Sequence, residues 1–170
     1  MNDKFILAVD QGTSSSKALL FDSRGKIVSR ASEGLTSCYP RRGFVEQDPM
    51  DIYRSVLGAV GSCLKRFTEE KKGNSDDIAA CGISNQRETC ILWDKEGVPL
   101  HNAVVWNCKR SVHVCRRLKA LNLDDEINRR TGLIIDPYFS ATKLIWLYEN
   151  DEGVRKSIDA GDAYFGTVDS

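Results

Sequence analysis

A continuous apolar run over residues 5–9 stops at Asp10 and Gly12, and a second strand-like run begins at Lys17. The first run reads as a buried strand, and the segment between the two is then a tight strand-to-strand turn. After residues 17–21, Asp22-Ser23-Arg24-Gly25 places Asp first and Gly fourth in a turn. Residues 26–31 should therefore fold back as a third strand and make a hairpin with the second.

Residues 38–47, with Pro40, Gly43 and several charges, read as a loop. Asp48-Pro49 is a good helix start, because Asp can cap and Pro is favoured at the first helical position. Ile52, Val56, Val60, Leu64 and Phe67 make one apolar stripe behind it. The charge run Glu69-Glu70-Lys71-Lys72 before Gly73 reads as a solvated helix end. Strands are expected over 78–83 and 89–93. The turn Asp94-Lys95-Glu96-Gly97 repeats the Asp-x-x-Gly chemistry, and a strand over 103–106 follows it. Helices are expected over 111–121, with Val114, Cys115, Leu118 and Leu121 on one face, over 124–130, over 140–149 and around Val154 and Ile158. No repeat, low-complexity tract or clear linker divides the chain. The order is mixed α/β and lacks the strict alternation of a doubly wound nucleotide-binding fold.

Composition narrows the function classes. The 170 residues are 41% hydrophobic and 28% charged, as in an ordinary globular domain. Lys plus Arg and Asp plus Glu each number 24. That balance removes the broad electrostatic case for nucleic acid or an anionic membrane surface. No apolar run approaches the roughly 20 residues of a bilayer span, and the first residues lack a signal-peptide plan, so a cytoplasmic location is expected. Cys38, Cys63, Cys81, Cys90, Cys108 and Cys115 form no Cys-x-x-Cys pair, and His101 and His113 have no partner pattern. Zinc is not indicated, and the thiols read as structural.

Three segments carry candidate chemistry. In Asp10-Gln11-Gly12-Thr13-Ser14-Ser15-Ser16-Lys17, Gly12 permits close backbone approach, residues 13–16 offer four hydroxyls and Lys17 adds a cation. Such a turn can cradle phosphate oxygens, and Asp10 can organise Mg²⁺ through water. A polar hairpin turn with a solvated lysine is the equal alternative. Neither common nucleotide signature, Gly-x-x-x-x-Gly-Lys-Ser/Thr or Gly-x-Gly-x-x-Gly, is present. Asn85-Gln86-Arg87-Glu88 follows an apolar strand, and strand ends are where open α/β sheets put ligands. Arg87 donates and Glu88 accepts, a pairing suited to polyol hydroxyls; a surface loop with a local Arg–Glu pair is the plainer alternative. Trp106 and Phe139 can form an apolar wall and Tyr138 can add a hydroxyl, although core packing is the default for each.

The segment 10–17 resembles the phosphate-binding turn of the FGGY carbohydrate kinases. Residues 43–49, 83–89, 102–106, 136–140 and 165–170 resemble the glycerol-kinase branch of that family, in order over essentially the whole chain. The string Asn85-Gln86-Arg87-Glu88-Thr89 separates that branch from relatives acting on xylulose or gluconate. The resemblance implies a ribonuclease H-like (actin-like ATPase) mixed sheet with flanking helices, and transfer of the ATP γ-phosphate to glycerol. It implies that Gly12, Thr13, Ser14, Ser15 and Lys17 face the nucleotide phosphates and that Asp10 organises Mg²⁺ as the catalytic carboxylate. It implies that Arg87, Glu88 and Tyr138 bind glycerol hydroxyls while Trp106 packs on its carbons. A homo-oligomer is also expected for the intact enzyme. Two departures stand out. Lys17 replaces the usual Arg with a point charge where a bidentate fork is normal. Asn107-Cys108-Lys109-Arg110 stands where the family more often has Gln, a variable residue and two arginines.

Residues 1–170 then read as the amino-terminal kinase domain, incomplete and without the carboxy-terminal ATP-binding domain. No second segment suits adenine, and no remaining carboxylate sits in a motif for a catalytic base; in the resembled family both come from sequence beyond this chain's end. Residues 167–170 read as the entry to a helix. The chain by itself is therefore expected not to turn over. Another polyol or sugar kinase of the family, or a non-catalytic fragment of one, are the alternatives.

Overall fold

The computed structural model describes residues 4–71 and 73–170, so Lys72 of the charge run lies outside the described residues. The elements are β1 (Phe5–Gln11), β2 (Ser15–Phe21), β3 (Ile27–Gly34), β4 (Glu46–Gln47), α1 (Pro49–Glu69), a 3₁₀ turn (Ser75–Asp77), β5 (Ile78–Asn85), β6 (Cys90–Trp93), β7 (Ala103–Val104), α2 (Val112–Ala120), α3 (Asp124–Thr131), α4 (Ser140–Asn150), α5 (Glu152–Asp159) and β8 (Tyr164–Thr167). They gather into two compact units, Met1–Thr36 with Met50–Gln86, and Ser37–Pro49 with Arg87–Ser170. Each unit has its own four-stranded sheet. The class is the expected mixed α/β, and the absence of a linker motif is explained by the way the two units interleave along the chain.

In the first unit the sheet order is β3-β2-β1-β5. β2 pairs antiparallel with β1 and β3, and β5 pairs parallel with β1. The Asp22–Gly25 turn forms as read. The Asp22 carboxylate accepts the Arg24 and Lys26 amides, both at 2.9 Å, and Gly25 takes φ 76°. Alternation along β2 sends Ser16, Ala18 and Leu20 inward. Ala18 and Leu20 meet Leu7, Val9, Ala31 and the α1 residues Ala59, Cys63 and Phe67 in one core. The buried line of α1 is Ile52, Ser55, Ala59, Cys63 and Phe67. The expected stripe is thus rotated: Val56, Val60 and Leu64 are half-buried at its flank. Small side chains at 55, 59 and 63 take the centre, and a stripe chosen for bulk overlooks them.

β5 differs most from expectation. It reads as an apolar strand, yet residues 79–84 are exposed, Ile83 at 71% and the Cys81 thiol included. β5 is an edge strand: among the described residues only β1 pairs with it. It carries no charged side chain, the usual guard against edge-to-edge pairing. The 170-residue chain should therefore self-associate as its concentration rises, and Ile83→Lys should suppress this in sedimentation velocity. Equal association of both proteins would rule out β5 as the contact.

The second unit has the sheet order β4-β7-β6-β8, wholly antiparallel. Its core joins Val45, Cys90, Leu92, Val104, Val105, Cys108, Leu147 and Val154. The second Asp-x-x-Gly turn copies the first. The Asp94 carboxylate accepts the Glu96 and Val98 amides, and Gly97 takes φ 81°. The strand expected over 103–106 ends at Val104, because Cys108 donates its amide to Val105 and the chain turns. Leu121, expected on the buried face of α2, follows the helix and is exposed. The carboxy-terminal segment is also different: residues 164–167 form β8 against β6, with Tyr164 stacked on Trp93. Thr167 to Ser170 is a turn, Ser170 donating its amide to the Thr167 carbonyl at 3.0 Å.

Candidate functional site

The phosphate-type turn lies wholly in the first unit. β1 runs to Gln11 and β2 begins at Ser15, so the turn proper is Gly12-Thr13-Ser14. Gly12 donates its amide to the Ser15 carbonyl at 2.9 Å, and a Cβ there would sit 3.2 Å from that oxygen. The close approach favours glycine. Gln11 is buried and braces the turn by donating Nε2 to the Gly12 carbonyl at 2.7 Å; its Oε1 has no hydrogen-bond partner among the described residues. Ser14 accepts the Leu35 amide on its carbonyl, while its side chain is exposed. The four hydroxyls reduce to three. Ser16 points inward with the β2 alternation, 2.7 Å from the Ser55 hydroxyl, so it is a structural group. Asp10 and Lys17 stand opposite each other in the ladder and both are exposed.

β5 brings Asn85 and Gln86 alongside this turn. Asn85 is in register with Gln11, Gln86 donates its amide to the Gln11 carbonyl at 2.7 Å, and Thr13 Oγ1 lies 3.5 Å from Gln86 Oε1. The carboxyl ends of two parallel strands thus meet at the turn, as in ligand-binding α/β sheets. One exposed carboxylate beside hydroxyls suits a Mg²⁺ that keeps most of its waters and uses phosphate oxygens. Among the described residues no group of three His, Cys, Asp or Glu makes an all-protein metal cage.

Arg87, Glu88, Trp106 and Tyr138 all belong to the second unit. Glu88 takes φ 63°, a left-handed conformation uncommon for a glutamate. Such outliers gather where a site requires them. Its Oε2 accepts from the Ser140 amide at 2.9 Å and the Ser140 hydroxyl at 2.8 Å, at the first turn of α4. A carboxylate is favoured there by the unpaired amides and the helix dipole. Arg87 is exposed, and among the described residues no ion pair joins it to Glu88; the local Arg–Glu pair expected of a plain surface loop is not formed. Trp106 donates its amide to Thr89 Oγ1 at 3.2 Å and meets the Tyr138 ring edge-on at 5.8 Å. Tyr138 also meets Phe139, at 5.2 Å. Trp106 thus meets Tyr138, and Tyr138 in turn meets Phe139. The Asp136 carboxylate shapes the turn by accepting the Tyr138 amide at 2.8 Å.

The segment 107–110 divides in two. Asn107 and Lys109 are exposed, whereas Cys108 and Arg110 are buried. Arg110 pairs with Glu46 at 2.5 Å, donates Nε to Cys108 Sγ and lies over the rings of Phe44 and Trp146 at 4.6 and 4.9 Å. Burial pushes the Glu46 carboxyl up, but hydrogen bonds from Asn102 and Arg110 and the charges of Arg110 and His101 outweigh it, so the group lies below its ordinary 4.5. A carboxylate depressed by folding stabilises fully above its unfolded pKa and loses that contribution as pH falls through the folded value. Urea unfolding should accordingly show stability falling below about pH 4.5, and Glu46→Gln should flatten that component. An unchanged acid limb in the variant would contradict it. The buried thiols are structural: burial pushes Cys90 up to about 11.

Sequence reasoning missed Ser140 and Lys143. The signal for Lys143 was its place four residues before Leu147, on the face of α4 that turns inward.

Residues 5–170 match the model of the FGGY family of carbohydrate kinases, N-terminal domain. The chain is 44% identical to the glycerol kinase of Halothermothrix orenii over 100% of this chain and 34% of that protein. It is 47% identical to the glycerol kinase of Shewanella frigidimarina over 98% of this chain and 33% of that one. Among solved structures it resembles Plasmodium falciparum glycerol kinase with ADP, at a TM-score of 0.82 and 29% identity, covering 98% of this chain and 33% of that chain. Lactobacillus acidophilus gluconate kinase matches at 0.81 and 26%, covering 98% and 32%. The chain spans about a third of the length of these relatives.

Proposed function

The chain belongs to the FGGY family of carbohydrate kinases, and on that premise we propose that it supplies the phosphate turn and the polyol grip of an ATP-dependent glycerol kinase. The observation that carries the substrate is the grouping around Glu88. One oxygen is spent on Ser140, and Oε1 takes no hydrogen bond among the described residues. Ser140, which holds Glu88, follows the turn that carries Tyr138, Tyr138 meets Trp106 edge-on, and Arg87 adjoins Glu88 in sequence as a donor. Alternating hydroxyls and carbons on a three-carbon polyol suit a set of one acceptor, two donors and an aromatic face.

At the turn, Thr13, Ser14, Ser15 and Lys17 orient the phosphates, Gly12 keeps the backbone close, and Asp10 would hold Mg²⁺. Bound Mg-ATP supplies the transferable phosphoryl group and the charge neutralisation that such transfer needs. Asp10 fixes the metal's place, and Lys17 adds a screened positive charge. Residues 1–170 act as the amino-terminal domain of the enzyme, with the adenine pocket and the group that accepts the hydroxyl proton supplied outside them. The intact enzyme is a cytoplasmic homo-oligomer. The fold matches a gluconate kinase as well as a glycerol kinase, so substrate rests on Arg87, Glu88 and Tyr138 and not on architecture.

The test is a chimera in which residues 1–170 replace the matching third of the Halothermothrix orenii relative, assayed by coupled ADP release with glycerol, xylulose and gluconate. Glycerol-dependent turnover well above the other two is expected. A folded chimera that prefers xylulose or gluconate would overturn the reading. The 170-residue chain alone, assayed the same way, should stay far below ~1 s⁻¹, the low end of ordinary enzyme rates.

A further inference from the structure

Lys143 is the largest fully buried side chain among the described residues, with no exposed surface. An ammonium placed there forfeits its hydration, a cost proteins accept only with compensating partners. Burial accordingly holds its pKa below the ordinary lysine value, although Cys90, Glu88, Cys108 and Asp136 pull the other way. No carboxylate forms an ion pair with it among the described residues. Its Nζ instead donates to the main-chain carbonyl of Tyr138 and to that of Phe139, the latter at 3.2 Å.

What the ammonium does hold is the turn 136–139. Tyr138 is fixed there from two sides, its amide on the Asp136 carboxylate and its carbonyl on Lys143. Its ring then meets Trp106 edge-on, while Ser140, one residue beyond the turn, holds Glu88 by amide and hydroxyl. Thus α4 carries both connections: Lys143 to the Tyr138 backbone and Ser140 to the Glu88 carboxylate. Binding sites lose affinity when the groups behind them are loosened, because orientation must then be established at each encounter.

We propose that Lys143 is a positioning residue of the polyol grip, its buried ammonium setting the Tyr138 ring against Trp106 and holding the distance from that ring to Glu88. The proposal rests on the polyol reading given above. Lys143 touches no substrate atom in it, and it acts through Tyr138 alone.

Lys143→Met in the chimera tests this. Methionine fills similar volume without the charge and leaves the Tyr138 and Phe139 carbonyls without their donor. A role confined to stability would therefore move the melting temperature and leave glycerol binding alone. The expected result is the reverse split: KM for glycerol rises about tenfold or more, the scale of a lost hydrogen bond to a charged group, while KM for Mg-ATP stays within about twofold. In the 170-residue chain the near-ultraviolet circular dichroism from the Trp106–Tyr138 pair should change as well. Lys143→Arg, which restores a cation, should recover part of the glycerol affinity. Should Lys143→Met fail to fold, Lys143→Gln, which keeps a neutral donor in place of the ammonium, takes its place and must raise KM for glycerol in the same way. Folded Lys143→Met with unchanged glycerol KM overturns the inference if Arg87→Ala and Tyr138→Phe still raise it. If those two variants also leave it unchanged, the polyol reading itself falls.

Discussion

Asp10→Asn in the chimera is expected to lower kcat by roughly a hundredfold or more, the scale on which removing one group that stabilises transition-state charge acts, while KM for Mg-ATP changes little. Phosphoryl transfer depends on positioning and on neutralising charge spread over the transferred group and the leaving oxygen. Asparagine keeps the shape of Asp10 but holds hydrated Mg²⁺ weakly. Asp10 is exposed at the end of β1, outside the core that stabilises the first unit, so thermal stability should stay within about 0.5 kcal/mol of the parent, as for most surface changes. Steady-state kinetics at several Mg²⁺ concentrations decide the matter. Near-normal kcat at ordinary Mg²⁺ would remove Asp10 from the chemistry.

Arg87→Ala should cost about 1.5–3 kcal/mol in kcat/KM for glycerol, the range for losing a hydrogen bond between a charged group and the substrate. Arg87 is exposed in the unliganded chain, so the penalty belongs to the complex and the fold should not notice the change. That separates it from Glu88→Ala, which also strips the first turn of α4 of the carboxylate on Ser140 and should lower stability together with affinity. Glycerol kinetics and melting temperature measured on both variants distinguish the two roles. Parental glycerol kinetics in Arg87→Ala would exclude it from the grip.

Local signals read from the chain were reliable where one residue type does one local job. Both Asp-x-x-Gly turns formed because an aspartate carboxylate two residues before an amide, and a glycine free to take positive φ, suffice for that geometry. Pro49 opens α1 and Gly132 closes α3 in the left-handed conformation, for equally local reasons. The tight turn between β1 and β2 and the strand end at Asn85 were also legible, because polar residues interrupt apolar runs there.

Tertiary structure decided what depends on which surface meets which. Residues 78–83, like residues 5–9, carry no charged or hydrogen-bonding side chain apart from a thiol, yet Val9 is buried and Ile83 is exposed, since strand composition does not say whether a neighbour covers the strand. The line of α1 that faces the sheet runs through Ser55, Ala59 and Cys63, because close packing selects small side chains that hydropathy undervalues. Ser16 became structural through Ser55, thirty-nine residues away. Lys143 and Arg110 carry charges into the interior, where the carbonyls of Tyr138 and Phe139 hold the first, and the Glu46 carboxylate and the Phe44 and Trp146 rings hold the second. The residues and the turns they build were thus written in the chain. Burial is set by partners distant in sequence, so only the folded chain shows which of those residues remain free to meet a ligand.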